Sequence, residues 1–140
     1  MSRAGYTEDY DFDQWAHIRW RGAVASSIKG KRGQAFLREL ADALDAMPEK
    51  RLIAGDLERE DNVCTIGSLG KVRGVDMAKL DPEDPGPIAD AFGIAEPLVR
   101  EIEYMNDEAG WYNETPEARW KRMRAWVEAS IMKPAKAGVA

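Results

Sequence analysis

The sequence contains few of the residues on which metal sites and nucleophilic enzymes depend. It has a single cysteine, Cys64, and a single histidine, His17, among 140 residues. One cysteine excludes an internal disulfide and fits a reducing compartment. A metal site needs several His, Cys or converging carboxylate ligands. We therefore expect no metal, no cofactor and no catalytic residue in this chain.

Long apolar segments are also missing. The longest apolar runs are a few residues, whereas a membrane-spanning helix needs about 20, and the opening residues lack the apolar stretch of a signal peptide. An apolar content of 44% and a charged content of 32% fit one soluble globular domain. We expect a loose segment at 1–12, a single domain at 13–133, a flexible tail at 134–140 and a cytoplasmic location.

Acidic residues are absent from one part of the chain and concentrated in another. Residues 14–38 carry six basic residues and no acid, residues 39–117 carry seven bases against twenty acids, and residues 118–140 carry six bases against one acid. The net charge of −5 therefore hides two cationic segments around an anionic middle. This separation indicates either an anionic partner or docking of the segments on one another.

Two N-terminal helices are predicted by apolar residues at helical spacing. Asp13 is a good N-cap for the first helix, which Gly22 weakens, and the second spans 34–47 and ends at Pro48. The apolar positions are Trp15, Ile18, Val24 and Ile28 in the first helix, and Phe36, Leu37, Leu40, Leu44 and Met47 in the second.

The middle of the chain predicts a hairpin, and the end predicts a helix. Residues 52–57 and 63–72 have the pattern of two short strands joined by a polar turn at 58–62, and a loop rich in Pro, Asp and Gly follows at 81–87. Thr115 is an N-cap followed by Pro116 in the first turn, which is typical of a helix start. The predicted class is α+β, mainly α, with four to five helices and one small antiparallel β-hairpin.

Residues 88–102 have the spacing of a helix-turn-helix. This motif needs a small residue in the first helix, glycine in the turn and apolar residues that lock the second helix onto the first. Those positions are Ala89, Gly93, Ile94, Val99 and Ile102. The stretch resembles the helix-turn-helix of bacterial and phage repressors.

The second helix of that pair has an unsuitable surface for reading DNA. Its polar positions include Glu96, Glu101, Glu103 and Asp107, and Arg100 is its only base. Carboxylates repel the phosphates whose neutralisation supplies much of the affinity for DNA. We favour an αα-hairpin that uses helix-turn-helix packing, and DNA reading stays the alternative.

The basic segment is a candidate site for an anion or a nucleic acid. Free N–H groups at the start of a helix favour phosphate, and the sequence from Lys29 to Gly33 leads directly into the second helix. The alternative is a solvated connection whose cations pair with acids of residues 39–117. The candidate residues are Arg19, Arg21, Lys29, Lys31 and Arg32.

Tryptophan and arginine are enriched near the C-terminus, and this combination is typical of hot spots in protein interfaces. Three of the five tryptophans follow residue 110. Core packing is the alternative role for any single one of them. The interface candidates are Trp20, Trp111, Tyr112, Arg119, Arg122 and Trp126.

Taken whole, the chain resembles a group of small proteins of tailed phages and prophages of Gram-negative bacteria, a group without an established activity. The resemblance runs from about Trp15 to Val127. It is carried by RGAVASSIKGKRGQAFLREL, ALDAMPEKRLIAGDLE, GKVRGVDM, LDPEDP, and MNDEAGW followed by ETPEARWKRMRAW. The resemblance implies action in the cytoplasm of a bacterial host.

Two functional hypotheses follow. The first is a non-catalytic accessory protein that binds a host or phage macromolecule, expected to be a protein. The alternative is a nucleic-acid-binding regulator that uses the basic segment from Arg19 to Arg32 together with the helix pair at 88–107.

Overall fold

The computed structural model of the protein describes residues 3–4 and 14–133. In these ranges the chain forms six α-helices and one two-stranded antiparallel sheet. The elements are α1 (Gln14–Lys29), α2 (Lys31–Ala46), β1 (Glu58–Arg59), β2 (Asn62–Val63), α3 (Thr65–Arg73), α4 (Pro85–Phe92), α5 (Glu96–Asp107) and α6 (Pro116–Ser130), and Met77–Lys79 form a 3-10 turn.

The mainly helical α+β class is therefore confirmed, although four to five helices was too few. The proposed N-cap Asp13 and the tail at 134–140 lie outside the described residues, as does the segment 1–12 apart from residues 3–4.

α1 and α2 are almost continuous. α1 runs through Gly22 without a break, and only Gly30 separates it from α2, which begins three residues before the predicted start at Gln34. The two helices approach closely at Gly33, where an added Cβ would lie 1.8 Å from the carbonyl oxygen of Ser27. Any larger side chain at this position would push α1 and α2 apart.

The predicted strand at 63–72 is wrong, because most of this segment forms α3. Residues 63–70 are all buried, including the polar Thr65 and Ser68, and a short segment buried on every side has no periodicity that distinguishes a helix from a strand. The sheet falls on the predicted turn at 58–62 and includes only Val63 of the predicted strand, with Glu58 paired to Val63 and Arg59 to Asn62. The predicted strand at 52–57 has no ladder of its own, although the Ile53 N–H donates to the Val63 carbonyl at 2.9 Å.

α5 lies at the centre of the fold. It packs against α1, α3, α4 and α6, while α2 packs against α3 and α6. α4 begins inside the predicted loop at 81–87 and ends at Gly93, whose φ of 70° is the left-handed conformation that glycine adopts readily. Ala89, Ile94, Val99 and Ile102 are buried, as the helix-turn-helix spacing predicts.

α6 begins as the sequence predicts. The Thr115 side chain accepts a hydrogen bond from the Ala118 N–H at 3.1 Å, and Pro116 occupies the first turn. Met123 and Val127 are buried in the core, whereas Trp120 is half-buried and donates from its indole nitrogen to the Leu44 carbonyl. α6 thereby fixes the end of α2.

Candidate interaction surface

α1 presents two large apolar side chains to solvent. Trp15 is 72% exposed and Ile18 is 58% exposed, and the neighbouring Arg19 is exposed as well. The apolar pattern that predicts α1 is therefore not a buried stripe. Val24 is the one buried residue of α1, and Ile28 is half-buried against the core.

Helical spacing places several exposed residues on the same side of α1 as Trp15, over a length of about 21 Å. Gly22 lies in the middle of this side, and an added Cβ there would meet no atom within 4 Å. We call the following set the α1 surface: Trp15, Ile18, Arg19, Gly22 and Lys29 of α1, with Lys31 and Arg32 at the start of α2.

The cations between α1 and α2 face solvent rather than the protein's own acids. Lys29, Lys31 and Arg32 are exposed, and none of them forms an ion pair with another residue in the described part of the chain. The first turn of α2 contains no acid, and its N-cap Gly30 provides no side-chain acceptor. The positive end of the α2 dipole thus coincides with three unneutralised cations.

Arg21, another of the candidate anion-binding residues, has a partner within the fold. Its guanidinium donates to both carboxylate oxygens of Glu101, at 2.8 and 2.9 Å. Glu101 is buried, and this bidentate pair joins α1 to α5. Arg19, two residues earlier, is exposed and forms no ion pair with a described residue.

α5 offers almost no free surface to a ligand. Glu96 is its only exposed residue, while Glu101, Glu103 and Asn106 are buried. A recognition helix must present one side to the major groove, and here that side is covered by α1. The helix-turn-helix spacing therefore describes internal packing. The acids of α5 also form no exposed anionic face.

The loop between α5 and α6 carries the most exposed aromatic residues in the described ranges. Trp111 is 85% exposed, and Tyr112 is fully exposed. The loop is held below them by Glu114, whose nearly buried carboxylate accepts from Arg122 at 2.7 and 2.9 Å. Arg119 lies 3.4 Å from the same carboxylate. Arg119 and Arg122, the two arginines among the interface candidates, thus brace the loop through Glu114 and do not face solvent freely.

The remaining interface candidates are partly covered. Trp20 is half-buried and lies 5.4 Å below the guanidinium of Arg100, and Trp126 is half-buried against the core. Among the tryptophans, Trp15 and Trp111 are the exposed ones. Trp15 was not among the interface candidates, because its helical spacing with apolar neighbours favours the core.

A buried ionic cluster joins the N-terminus to α5. Arg3 donates to both carboxylate oxygens of Asp107, at 2.6 and 2.9 Å, and its Nε lies 3.3 Å from Glu103 Oε2. Burial raises the pKa of Glu103 to about 8, against the opposing charge of Arg3. Burial alone would also raise the pKa of Asp107, but the hydrogen bonds from Arg3 hold it below its usual range. No sequence pattern pointed to this cluster.

An open groove of about 590 Å³ lies between the end of α2, the hairpin and α3. Its apolar floor includes Ala43, Met47 and Val63. Both cations at its rim are engaged with neighbours: Arg51 pairs with Glu49, and Lys71 donates to the Asp61 carbonyl. The other charged residues that line the groove are acids, Glu49, Glu60 and Asp61.

Within residues 3–4 and 14–133, no group of three or more His, Cys, Asp or Glu side chains is arranged to hold a metal ion. No helix in those ranges combines the length and apolar character that crossing a membrane requires. Comparison with protein families, with curated proteins and with solved structures finds no match to this chain.

Proposed function

We propose that this protein is a non-catalytic interaction protein that binds a partner protein through the α1 surface. The observation that carries the proposal is the exposure of Trp15 and Ile18 beside Arg19 on a helix whose other side is packed. Tryptophan and arginine dominate hot spots in protein interfaces. A partner protein would bury the two apolar side chains and recover about 25 cal/mol for each Å² of apolar surface removed from water.

The charge of the α1 surface defines the partner further. Lys29, Lys31 and Arg32 are unneutralised at the end opposite Trp15. A complementary partner presents an apolar pocket at one end of its surface and carboxylates at the other, because opposite charges accelerate encounter and fix the orientation of the complex. Trp111 and Tyr112 provide a second, separate aromatic contact on the braced α5–α6 loop.

The proposed setting follows from the resemblance to proteins of tailed phages and prophages. The partner we propose is a host or phage protein in the cytoplasm of a Gram-negative bacterium. This setting rests on the sequence resemblance alone, whereas the proposal of a binding surface rests on the exposure and charge of α1.

A nucleic-acid-binding regulator is the second candidate function. Exposed cations at an uncapped helix start favour phosphate, which supports this alternative. The buried α5 does not support its use of the helix pair at 88–107 for reading bases. The net charge of −5 also opposes approach to a polyanion. We therefore rank protein binding above nucleic-acid binding.

Affinity capture with paired variants tests the proposal. The tagged protein is incubated with nuclease-treated lysate of a Gram-negative host, and captured proteins are compared among the wild type, Trp15→Ala and Lys29/Lys31/Arg32→Ala. The matched control is Lys79/Lys121/Lys133→Ala, which removes three exposed lysines outside the α1 surface. We expect a protein that the wild type and the control capture and that both α1-surface variants lose.

Capture that is equal in all four proteins would contradict the assignment of the α1 surface. The nucleic-acid alternative is tested by titrating salt into a mixture of the protein with a mixed DNA and RNA pool. Binding that falls steeply with salt and is lost in Lys29/Lys31/Arg32→Ala would favour the regulator instead. Absence of binding at low salt would eliminate it.

A further inference from the structure

The acceptors that hold Arg3 are positioned by the body of the protein. Asp107 Oδ1 accepts from the Gly55 N–H at 3.2 Å and from the Asn106 amide at 2.8 Å. Asn106 is fixed in turn, because its oxygen accepts from the Thr65 N–H and hydroxyl and its amide donates to the Ile53 carbonyl. None of these five hydrogen bonds involves Arg3, so the Asp107 carboxylate is oriented without it.

The guanidinium group of Arg3 occupies the pocket that these acceptors line. Nε and Nη2 of Arg3 donate to the two oxygens of Asp107, and Nη1 lies 3.8 Å from the Sγ of Cys64. Such paired donation requires a planar fork that the ammonium of lysine does not have. The Arg3 side chain is 3% exposed, so it fills the pocket rather than crossing its surface.

Glu103 is a second acceptor, and both of its oxygens are free to accept a hydrogen bond. It is fully buried, its Oε2 faces Arg3 at 3.3 Å, and neither of its oxygens accepts a hydrogen bond. If Arg3 left, the Asp107 carboxylate would keep its fixed orientation but lose its ionic partner. A largely buried carboxylate that has lost its ionic partner costs several kcal/mol, so the empty pocket would favour a cation of the same shape.

We infer that Asp107, Glu103 and Cys64 form a guanidinium-binding pocket that Arg3 fills from the same chain. An arginine side chain of another molecule binds there when Arg3 leaves. The ligand class is therefore an arginine-bearing peptide. This inference is independent of the α1 surface, since it rests on hydrogen bonds and burial at the end of α5.

Chemical rescue of an Arg3→Ala variant tests the pocket. Ethylguanidinium contains the atoms that this substitution removes beyond Cβ, and Arg3→Ala leaves the space for them. We expect the melting temperature of Arg3→Ala to lie below that of the wild type. We expect about 10 mM ethylguanidinium to raise it by about 3 °C. The wild type, whose pocket is filled, should not respond.

Two controls separate recognition from general effects. Ethylammonium carries the same charge without the fork and should leave Arg3→Ala unchanged. The double variant Arg3→Ala/Asp107→Asn lacks the main acceptor and should not respond to ethylguanidinium. No rescue of Arg3→Ala, or an equal response in the wild type or to ethylammonium, would overturn the inference.

Refolding provides the test if Arg3→Ala does not fold by itself. Recovery of the helical circular dichroism spectrum with ethylguanidinium but not with ethylammonium would then be the supporting result. Failure of both to restore the spectrum would overturn the inference. Arginine amide, the probe for an arginine side chain from another molecule, should act like ethylguanidinium in the same assay. Its failure to do so would contradict binding of an external arginine.

Discussion

Arg21 and Glu101 join the first helix to the central helix through two parallel hydrogen bonds, Nη1 to Oε1 at 2.8 Å and Nη2 to Oε2 at 2.9 Å. They are 80 residues apart in the chain. Arg19, two residues before Arg21, has no such partner among the described residues. Arg21 is therefore part of the contact between α1 and α5, whereas the exposed Arg19 belongs to the surface that we propose for recognition, although their surroundings in the sequence are equivalent.

Arg21→Ala should destabilise the protein more than Arg19→Ala does. Arg21→Ala removes the bidentate ion pair with the buried Glu101 and should lower the free energy of unfolding by about 1–2 kcal/mol. Arg19→Ala should change it by less than about 0.5 kcal/mol, as expected for an exposed residue. Urea unfolding of both variants measures the difference. Equal destabilisation by the two substitutions would show that the pairing with Glu101 is not what distinguishes them.

Replacing Glu103 by glutamine should stabilise the protein above neutral pH. The folded-state pKa of Glu103, about 8, lies above the ordinary value of 4.5. Ionisation therefore costs stability as the pH rises from about 4.5 to 8, and the full cost is present above 8. We expect Glu103→Gln to be more stable than the wild type at pH 9 by about 1–3 kcal/mol. The difference should shrink toward pH 5.

Urea unfolding at pH 5, 7 and 9 checks this prediction. Glu58→Gln, on the exposed strand β1, is the matched control and should show no such trend. A Glu103→Gln variant that is less stable than the wild type at pH 9 would show that the carboxylate is needed in its charged form beside Arg3.

Glu114→Ala should destabilise the loop that carries Trp111. Contact with Arg122 lowers the pKa of Glu114, so its stabilising effect is present above the ordinary pKa and is lost as the pH falls through the lower folded-state value. Removing this nearly buried carboxylate should cost about 2–3 kcal/mol at pH 7, and less at pH 3. Glu128→Ala, which removes an exposed partner of Arg124, should cost less than about 1 kcal/mol.

Thermal unfolding of Glu114→Ala and Glu128→Ala at pH 7 and pH 3 compares the two ion pairs. It shows whether the buried pair of Glu114 with Arg122 stabilises the protein more than the exposed pair of Glu128 with Arg124. A cost for Glu114→Ala that is no larger than that for Glu128→Ala would mean that Arg122 and Arg119 do not brace the loop.

Gly22→Ala should stabilise the protein, whereas Gly33→Ala should destabilise it. A Cβ at Gly22 meets no atom within 4 Å, so alanine should stabilise α1 by about 0.5–1 kcal/mol. A Cβ at Gly33 would lie 1.8 Å from the Ser27 carbonyl oxygen, so alanine should destabilise the α1–α2 junction. Urea unfolding measures both effects. Destabilisation by Gly22→Ala would reveal a contact of Gly22 that the fold does not account for.

Local signals in the sequence predicted several elements correctly. Thr115 and Pro116 mark the start of α6, and the spacing from Ala89 to Ile102 marks the α4–α5 pair, because capping and short-range packing are determined within a few residues. The strand prediction at 63–72 was wrong because residues 63–70 are all buried, which removes the alternation that identifies a strand.

The sequence alone does not predict which residues form the candidate sites. Trp15 and Val24 belong to the same apolar pattern, yet only Val24 meets the core. The neighbours that decide this lie on α2 and α5. Arg3 and Asp107 are 104 residues apart in the chain, and neither a motif nor a periodicity links them. Pairings of this kind depend on the tertiary arrangement of the helices.

Site-specific photocrosslinking at Ile18 tests the α1 surface most directly. A benzoylphenylalanine residue replaces Ile18 in one variant and Met132, which is also exposed, in a control. Both proteins are irradiated in nuclease-treated lysate of a Gram-negative host. We expect a covalent adduct of defined mass at position 18 that Lys29/Lys31/Arg32→Ala weakens, with no such adduct at position 132. No adduct at position 18, or the same adduct at both positions, would contradict this expectation.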